Sequence, residues 1–244
     1  MKNQKSQWQR TRSTEAQYAR DLRHVAREIG RITNGFTDIL FGNRSGAVRN
    51  ALAKYAELLK PWAELRAARL VEEIDRSNKR TFVKNAREMS RALADELANA
   101  PTGKRMKELM AEQVRLITSL PLEAAERVHR LTIQNAESQG RASEIAKEIY
   151  RTGKVTEARA TLIARTEVGR TSSLLTQSRA EYVGSEGYIW RTVHDQDVRS
   201  SHKNMDRTFV RWDSPPTLDG LTGHAGALPN CRCYAEPVLP KEIT

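Results

Sequence analysis

Cysteine is scarce in this sequence: only Cys231 and Cys233 occur among 244 residues, and a single residue separates them. Two cysteines cannot build a disulfide framework, and a bond between these two would close a small, strained ring. The sequence also lacks any apolar run near the roughly 20 residues of a membrane-spanning helix, and residues 1–12 lack the apolar centre of a signal peptide. We therefore expect a protein that is made and kept in a cytosol, at least at first.

Acidic residues are in the minority. The chain carries 41 lysines and arginines against 30 acidic residues, a net charge of +11, and the excess is spread along its length. Such a balance favours a polyanionic partner, which can be nucleic acid, an acidic protein surface or an anionic membrane. The alternative is that the charge serves only solubility, because net charge informs on partners and not on fold.

The pattern of the chain changes near Gly184. Before this residue, apolar side chains recur at helical spacing almost throughout; after it, aromatic and β-branched residues alternate, and proline and glycine become frequent. These patterns predict an α+β protein with a long, mostly helical N-terminal part and a small C-terminal module that contains a short antiparallel sheet. Strands are expected over 187–193, 208–212 and 234–239, and a polar run over 194–202 is expected to cap and begin a short helix.

The first helix is predicted over 13–33, with an apolar face on one side and arginines on the other. The apolar positions are Tyr18, Leu22, Val25, Ile29 and Ile32. The opposite positions, called here the arginine face, are Arg20, Arg23, Arg27 and Arg31. This face is suited to contact phosphates or an acidic ring of subunits. The alternative is a solvated face whose charge is balanced by Asp21 and Glu28.

Prolines and glycines divide the rest of the helical part. Pro61 lies within an apolar stripe, so we expect a kink or a helix boundary there. A helix is predicted over 104–119, and Pro121 is expected to start the next one, because proline is tolerated in a first helical turn. Gly153 is predicted to end a helix. Thr156, with an acidic residue after it, is expected to open the helix that follows.

Short motifs follow one another in a set order through the second half of the chain. An Arg-Thr-Glu triplet lies in a predicted helix, a Trp and an Asp come next, then an Arg-x-x-His pair, and finally an Asn-Cys-Arg-Cys run. The residues are Arg165, Thr166, Glu167, Trp190, Asp195, Arg199, His202, Asn230, Cys231, Arg232 and Cys233. In this order and spacing, the segment from about residue 121 to 237 resembles the phage Mu F-like head-morphogenesis family of tailed bacteriophages. One departure is Arg207, which stands where the family usually has the glycine of a Leu-Asp-Gly turn.

The resemblance implies a minor head protein rather than an enzyme. Such proteins associate with the portal protein inside the procapsid and assist head assembly and the packaging or ejection of DNA. The expected partners are the portal protein, the major capsid or scaffold protein and double-stranded DNA bound without sequence preference, and no membrane. The expected location is the host cytoplasm during assembly and then the interior of the phage head. Residues 1–120 would form an extended helical region that contacts portal, capsid or DNA, and residues 121–244 the Mu F-like module.

Histidine and cysteine concentrate in the last fifth of the chain. Thiolates and imidazoles suit zinc, and a structural zinc site would draw on His202, His224, Cys231 and Cys233. The one-residue spacing of the cysteines is shorter than usual for zinc. The alternative needs no cofactor. In it the cysteines lie on one side of a strand as small apolar groups, and His202 joins Asp195 and Arg199 in a buried hydrogen-bonded network.

The same polar residues allow an enzymatic alternative. An acid–base site can be assembled from Glu167, Asp195, Arg199 and His202, and a zinc-containing nuclease or transferase acting on nucleic acid would fit the basic charge. No nucleophile with an adjacent base is evident, however, and no phosphate-binding loop of the G-x-x-x-x-G-K type is present. A sequence-specific nucleic-acid regulator is a third class, but no helix-turn-helix spacing or zinc-finger pattern supports it.

Overall fold

Long helices make up most of the described chain. The computed structural model describes residues 12–35, 45–87, 95, 99–138 and 147–240. The long helices are α1 (Arg12–Gly35), α2 (Ser45–Arg87), α3 (Gly103–Ser138) and α4 (Thr152–Tyr182). No helix within these ranges is long and apolar enough to cross a membrane.

The predicted apolar face of α1 is confirmed. Tyr18, Leu22, Val25 and Ile29 are buried, because their spacing of three and four residues places them on one side of the helix. The Tyr18 hydroxyl also donates a buried hydrogen bond of 2.9 Å to the side-chain oxygen of Gln113 in α3. The sequence pattern therefore located both the helix and the side that packs.

Two prolines lie inside helices, whereas the sequence predicted a kink or a boundary at Pro61 and a helix start at Pro121. α2 continues through Pro61, and α3 continues through Pro121 instead of a new helix starting there. A proline within a helix removes one backbone hydrogen bond and costs about 3 kcal/mol. Packing offsets this cost in α3, because Leu120, Ala124 and Ala125 beside Pro121 are buried. The predicted helix start at Pro121 is therefore wrong, and Pro61 marks no helix end.

Gly153 lies in the first turn of α4 rather than at a helix end, and Thr156 lies one turn further inside the helix rather than at its start. A Cβ atom built on Gly153 would lie 3.0 Å from the Cα of Gly30 in α1. Two backbones approach there too closely for a side chain, so glycine is required by packing and not by a turn. The predicted helix end at Gly153 and the predicted helix start at Thr156 are therefore wrong, because the helix begins at Thr152 and includes both residues.

The chain after α4 forms a small antiparallel sheet. β1 (Gly187–Arg191) is the central strand, with β2 (Phe209–Arg211) on one side and β5 (Tyr234–Pro237) on the other. A two-stranded ribbon of β3 (Thr217–Leu218) and β4 (Leu221–Thr222) lies between β2 and β5 in the sequence. The short helix α5 runs from Ser200 to Asn204. The three predicted strands, the short helix and the α+β class are confirmed.

Residues 187–240, called here the sheet region, share one apolar core. Tyr188 and Trp190 of the central strand are fully buried in it, and the ring centroids of Tyr188 and Trp212 are 4.5 Å apart. Phe82 from α2 and Ala180 from α4 belong to the same core. Its other buried members are Val198, Val210, Trp212, Ala225, Leu228, Cys231, Cys233 and Ala235.

The turn between α5 and β2 runs through Arg207, which has a φ of +68°. Arg207 thus adopts the left-handed conformation that favours glycine, and a residue with a Cβ atom there costs about 1 kcal/mol. The turn is held on both sides: the N–H of Arg207 donates to the carbonyl oxygen of Trp190 at 2.8 Å, and the Asp206 carboxylate accepts from the N–H of Thr192 at 2.9 Å. These bonds fix a conformation that the side chain of Arg207 alone disfavours.

The described chain divides into two compact units, each assembled from segments far apart in sequence. Within the described ranges, one unit contains residues 12–15, 68–110 and 165–240, and the other contains residues 16–67 and 111–164. The division into functional regions 1–120 and 121–244 stays a prediction.

Candidate functional site

The motif residues converge on a tight turn before β5, formed by residues 229–233 and called here the 229–233 segment. Asn230 has a φ of +57°, and the N–H of Cys231 donates to the carbonyl oxygen of Leu228 at 2.9 Å. The N–H of Gly226 donates to the Sγ atom of Cys231 at 3.4 Å. Contacts between residues close in sequence thus hold the turn, independently of side chains from distant segments.

Helix α4 contacts the exposed end of this turn through the Arg-Thr-Glu triplet. The Thr166 hydroxyl accepts a hydrogen bond of 3.2 Å from the N–H of Asn230, and Arg165 donates to the side-chain oxygen of Asn230 at 3.5 Å. Glu167 is buried and pairs along the helix with Arg170 at 3.5 Å. Arg165 and Glu167 therefore have different partners, as expected for two helical residues that are two positions apart.

The loop after β1 contacts the opposite edge of the 229–233 segment. Arg232 lies 2.5 Å from a carboxylate oxygen of Asp195 and 2.7 Å from one of Asp197, and Arg199 donates to the carbonyl oxygen of Pro229 at 3.0 Å. The predicted network that joins Asp195 and Arg199 to His202 is therefore wrong. Asp195 pairs with Arg232 instead, because its carboxylate and the guanidinium carry opposite charges and lie together at the half-exposed rim of the turn.

The partners of His202 are the two cysteines. Its Nδ1 atom lies 3.4 Å from the Sγ atom of Cys231 and 3.5 Å from that of Cys233. The three side chains are 2%, 3% and 6% exposed, respectively. Their donor atoms all lie within 4.8 Å of one another, which is a spacing that one metal ion can bridge. The cysteines do lie on the same side of the backbone, as predicted, but they precede β5 rather than belonging to it.

The two thiols are chemically unequal. The neighbouring Cys233 thiol and, to a lesser extent, the imidazole of His202 lower the pKa of Cys231 despite burial. The same contact between the two cysteines, together with burial, raises the pKa of Cys233. Cys231 is therefore the more acidic partner and the one suited to carry a thiolate.

The far side of the His202 ring lies in an apolar environment. Trp190 contacts the imidazole with its ring nearly perpendicular and the centroids 5.6 Å apart. The Nε2 atom of His202 is buried and has no hydrogen-bond partner among the described residues. The polar contacts of the ring are thus concentrated at Nδ1, on the side of the two sulfur atoms.

His224 lies apart from this cluster, so its predicted place among the metal ligands is wrong. The Tyr188 hydroxyl accepts from the N–H of Ala225 at 3.1 Å and lies 3.3 Å from the Nδ1 atom of His224. Burial lowers the pKa of His224, which favours the neutral imidazole. His224 belongs to the aromatic core with Tyr188 and Trp212.

The arginine face of α1 lies at the surface. Arg20, Arg27 and Arg31 are exposed and Arg23 is half-buried. Arg31 pairs with Glu28 and Arg20 donates to Gln17, while Arg27 makes no ion pair within the described ranges. The predicted balance by Asp21 is wrong, because Asp21 pairs with Arg66 of α2 at 3.3 Å. The face therefore keeps most of its positive charge toward solvent.

A buried polar network between α2 and α4 was not anticipated. Arg179 is 2% exposed and donates to the side-chain oxygens of Asn78 and Asp75, both at 2.7 Å. Asn78 donates in turn to the Thr176 hydroxyl at 2.8 Å. The only signal in the sequence was the three-residue spacing of Asp75 with Asn78 and of Thr176 with Arg179, which places each pair on one helix face.

Comparisons with known proteins agree with the motif analysis. Residues 126–236 match the model of a family described as Phage Mu protein F like protein, and this segment contains every motif residue that contacts the 229–233 segment. A Haemophilus influenzae protein described as uncharacterized is 33% identical over 144 residues, which cover 59% of this chain and 32% of that protein. The chain thus spans less than a third of the length of this curated relative. No solved structure matches the chain.

Proposed function

We propose, from the match of residues 126–236 to the model of the Phage Mu protein F like family, that the chain is a minor head protein of a tailed phage. It would associate with the portal inside the procapsid and assist head assembly and the packaging or ejection of DNA. The observation that carries the proposal is the convergence of the motif residues on the 229–233 segment. Residues from α4 and from the loop after β1 contact one turn, so the motifs mark a folded module and not a chance succession.

The arginine face is our candidate for contact with DNA or with the portal. Three of its four arginines are exposed, and the whole chain carries a net charge of +11. Exposed guanidinium groups on one helix face are suited to phosphates and to acidic rings of subunits. The major capsid or scaffold protein is a further expected partner during assembly in the host cytoplasm, before the protein occupies the interior of the phage head.

The test is co-purification of the tagged full chain with the portal protein of the same phage, at low and high salt. Co-elution that survives high salt supports portal association. DNA binding is measured separately as the dependence of affinity on salt. If the arginine face contacts phosphates, Arg20→Gln, Arg27→Gln and Arg31→Gln together reduce the slope of log affinity against log salt by about 2 to 3.

A matched control removes three other exposed charges. Arg49, Lys54 and Lys60 of α2 are exposed, and their joint replacement by Gln lowers the net charge equally. If both triple variants change the salt dependence to the same extent, DNA contact is a property of net charge and not of the arginine face. If the chain elutes without portal at any salt, the portal assignment fails.

The second candidate is a zinc-containing enzyme that acts on nucleic acid, and the His202, Cys231 and Cys233 cluster is the observation that favours it. The geometry supports it less well, because all three side chains are less than 7% exposed and a phosphodiester cannot reach them without rearrangement. Incubation of the purified chain with plasmid DNA and total RNA, with and without divalent metal, decides the matter. Cleavage that is lost in His202→Ala would establish the enzyme; intact substrates in all conditions would reject it.

A further inference from the structure

Three soft donor atoms meet in the core of the sheet region. The Nδ1 atom of His202 comes from α5, and the Sγ atoms of Cys231 and Cys233 come from the 229–233 segment. Tetrahedral zinc with bonds of about 2.0–2.1 Å to nitrogen and about 2.3 Å to sulfur places adjacent nitrogen and sulfur ligands about 3.5 Å apart. The observed nitrogen–sulfur separations of 3.4 and 3.5 Å match this edge of the tetrahedron.

We propose that His202, Cys231 and Cys233 bind one Zn²⁺ ion as a structural centre, with a water molecule in the fourth position. Water is the choice for that position because, among the described residues, these three side chains alone lie close enough together to share one ion. The site is independent of head assembly and goes beyond the proposed function, because it concerns how the module is stabilised.

The surroundings of the sulfur atoms fit metal ligation. The N–H of Gly226 points at the Sγ atom of Cys231 from 3.4 Å, and a backbone donor of this kind stabilises a thiolate ligand. Gly226 has a φ of +85°, and a Cβ atom there would lie 3.1 Å from the carbonyl oxygen of Cys233. The glycine thus allows the backbone to fold closely over the ligands.

The sheet region has the kind of structure that a metal ion stabilises. Its strands contain only two to five residues, and α5 contains five. Small irregular modules with little regular hydrogen bonding often depend on a metal or on disulfides. An ion held by His202 and the two cysteines would join α5 to the turn before β5, two elements that no strand pairing connects.

The competing explanation is that thiol–imidazole hydrogen bonds alone hold the cluster. Metal content separates the two. The full chain is purified under reducing conditions without chelators and then dialysed against zinc, with loosely bound metal removed. We expect about one equivalent of zinc per chain. A content below about a tenth of an equivalent, both as purified and after dialysis, overturns the proposal, and this result does not depend on any variant folding.

Variants test the ligand set. His202→Ala and the double change Cys231→Ser with Cys233→Ser should lose the zinc, while His224→Ala, in a half-buried histidine of the same region outside the cluster, should keep it. His202→Cys is the sharpest variant, because a third thiolate restores a zinc site but not the imidazole hydrogen bonds. Retention of zinc in the double cysteine variant, or its loss in His224→Ala alone, contradicts the assignment.

A spectroscopic readout confirms which atoms bind. Replacement of zinc by Co²⁺ should produce the visible bands of tetrahedral cobalt together with thiolate-to-metal charge-transfer absorption in the near ultraviolet. Cobalt spectra without charge-transfer absorption would show that the sulfur atoms are not ligands and would reject the site.

Discussion

The long helices and the sheet region are stabilised by different kinds of contact. In α1 and the segments of α2 and α3 that pack beside it, burial follows a regular apolar stripe, as in Leu22, Leu52 and Ile117. In the sheet region, by contrast, single side chains from distant segments meet at the 229–233 segment. The difference indicates that the helices tolerate exchange among apolar residues of similar volume, whereas the sheet region depends on particular residue types.

The largest expected effect is the removal of the aromatic centre of the sheet region. Trp190 is fully buried and contacts His202, so Trp190→Ala should lower the free energy of unfolding by about 3–5 kcal/mol. Hydrogen exchange should show lost protection mainly in residues 187–240. Leu22→Ala, at a fully buried position in α1, should instead affect the helices. Equal loss of protection in both regions for both variants would contradict the comparison.

The next prediction concerns the buried polar network of Arg179, which is an exception to the apolar packing of the helices. Arg179 is buried between Asp75 and Asn78, so Asp75→Asn leaves its charge poorly compensated and should cost about 3 kcal/mol. Urea denaturation measures the change. Asp213→Asn is the control: it removes an exposed partner of Arg211, with side chains 67% and 53% exposed, and should leave the urea midpoint nearly unchanged. A small effect at Asp75 would show that the buried network contributes little to stability.

Close backbone packing in the helices gives a third, smaller effect. Gly153→Ala places a Cβ atom 3.0 Å from the Cα of Gly30, so the two helices must separate slightly. We expect a loss of about 1–2 kcal/mol, because the strain of overpacking exceeds the gain in helix propensity. Gly103→Ala is the matched control, because no atom lies within 4 Å of a Cβ atom built there. A stabilised Gly153→Ala would mean that the close approach does not limit the packing.

Features that neighbouring residues encode could be predicted from the sequence. The apolar face of α1, the three strands of the sheet and the motif residues follow from periodicity and residue order. Contacts that join distant segments were not accessible, because the spacing between Asp195 and Arg232 or between His202 and Cys231 carries no signal of proximity. Local rules also failed where packing overrides them: Pro121 lies inside a helix, and Gly153 serves a helix contact rather than a helix end.

A fourth prediction tests whether the 229–233 segment depends on particular partners. Thr166→Val keeps the shape of the side chain but removes the acceptor of the Asn230 N–H, and should cost about 1 kcal/mol. Thr161→Val is the control, since among the described residues the Thr161 hydroxyl bonds only to the carbonyl oxygen of Glu157 in its own helix. Faster hydrogen exchange at Asn230 in Thr166→Val, and not in Thr161→Val, is the expected result. Similar stability losses in both variants would show that the motif hydroxyl has no special role.

The smallest expected effect is a pH dependence within the sheet region. Burial lowers the pKa of His224 in the folded state, with the N–H···O contact at Trp212 and the charge of Glu181 opposing it, and the Tyr188 hydroxyl faces its Nδ1 atom. The folded state therefore takes up a proton less readily than the unfolded chain, whose histidine has a pKa of about 6.5. The contribution of neutral His224 to stability is therefore fully present above that value, and it is lost as the pH drops below it toward the folded-state pKa.

The urea midpoint, measured from pH 8 to pH 5 (roughly the range in which histidine titrates), should decline less in His224→Gln than in the parent chain. Because every other residue is the same in both proteins, only the difference between the two curves reports on His224. If the urea midpoints of the two proteins fall in parallel with pH, His224 does not cause the loss of stability.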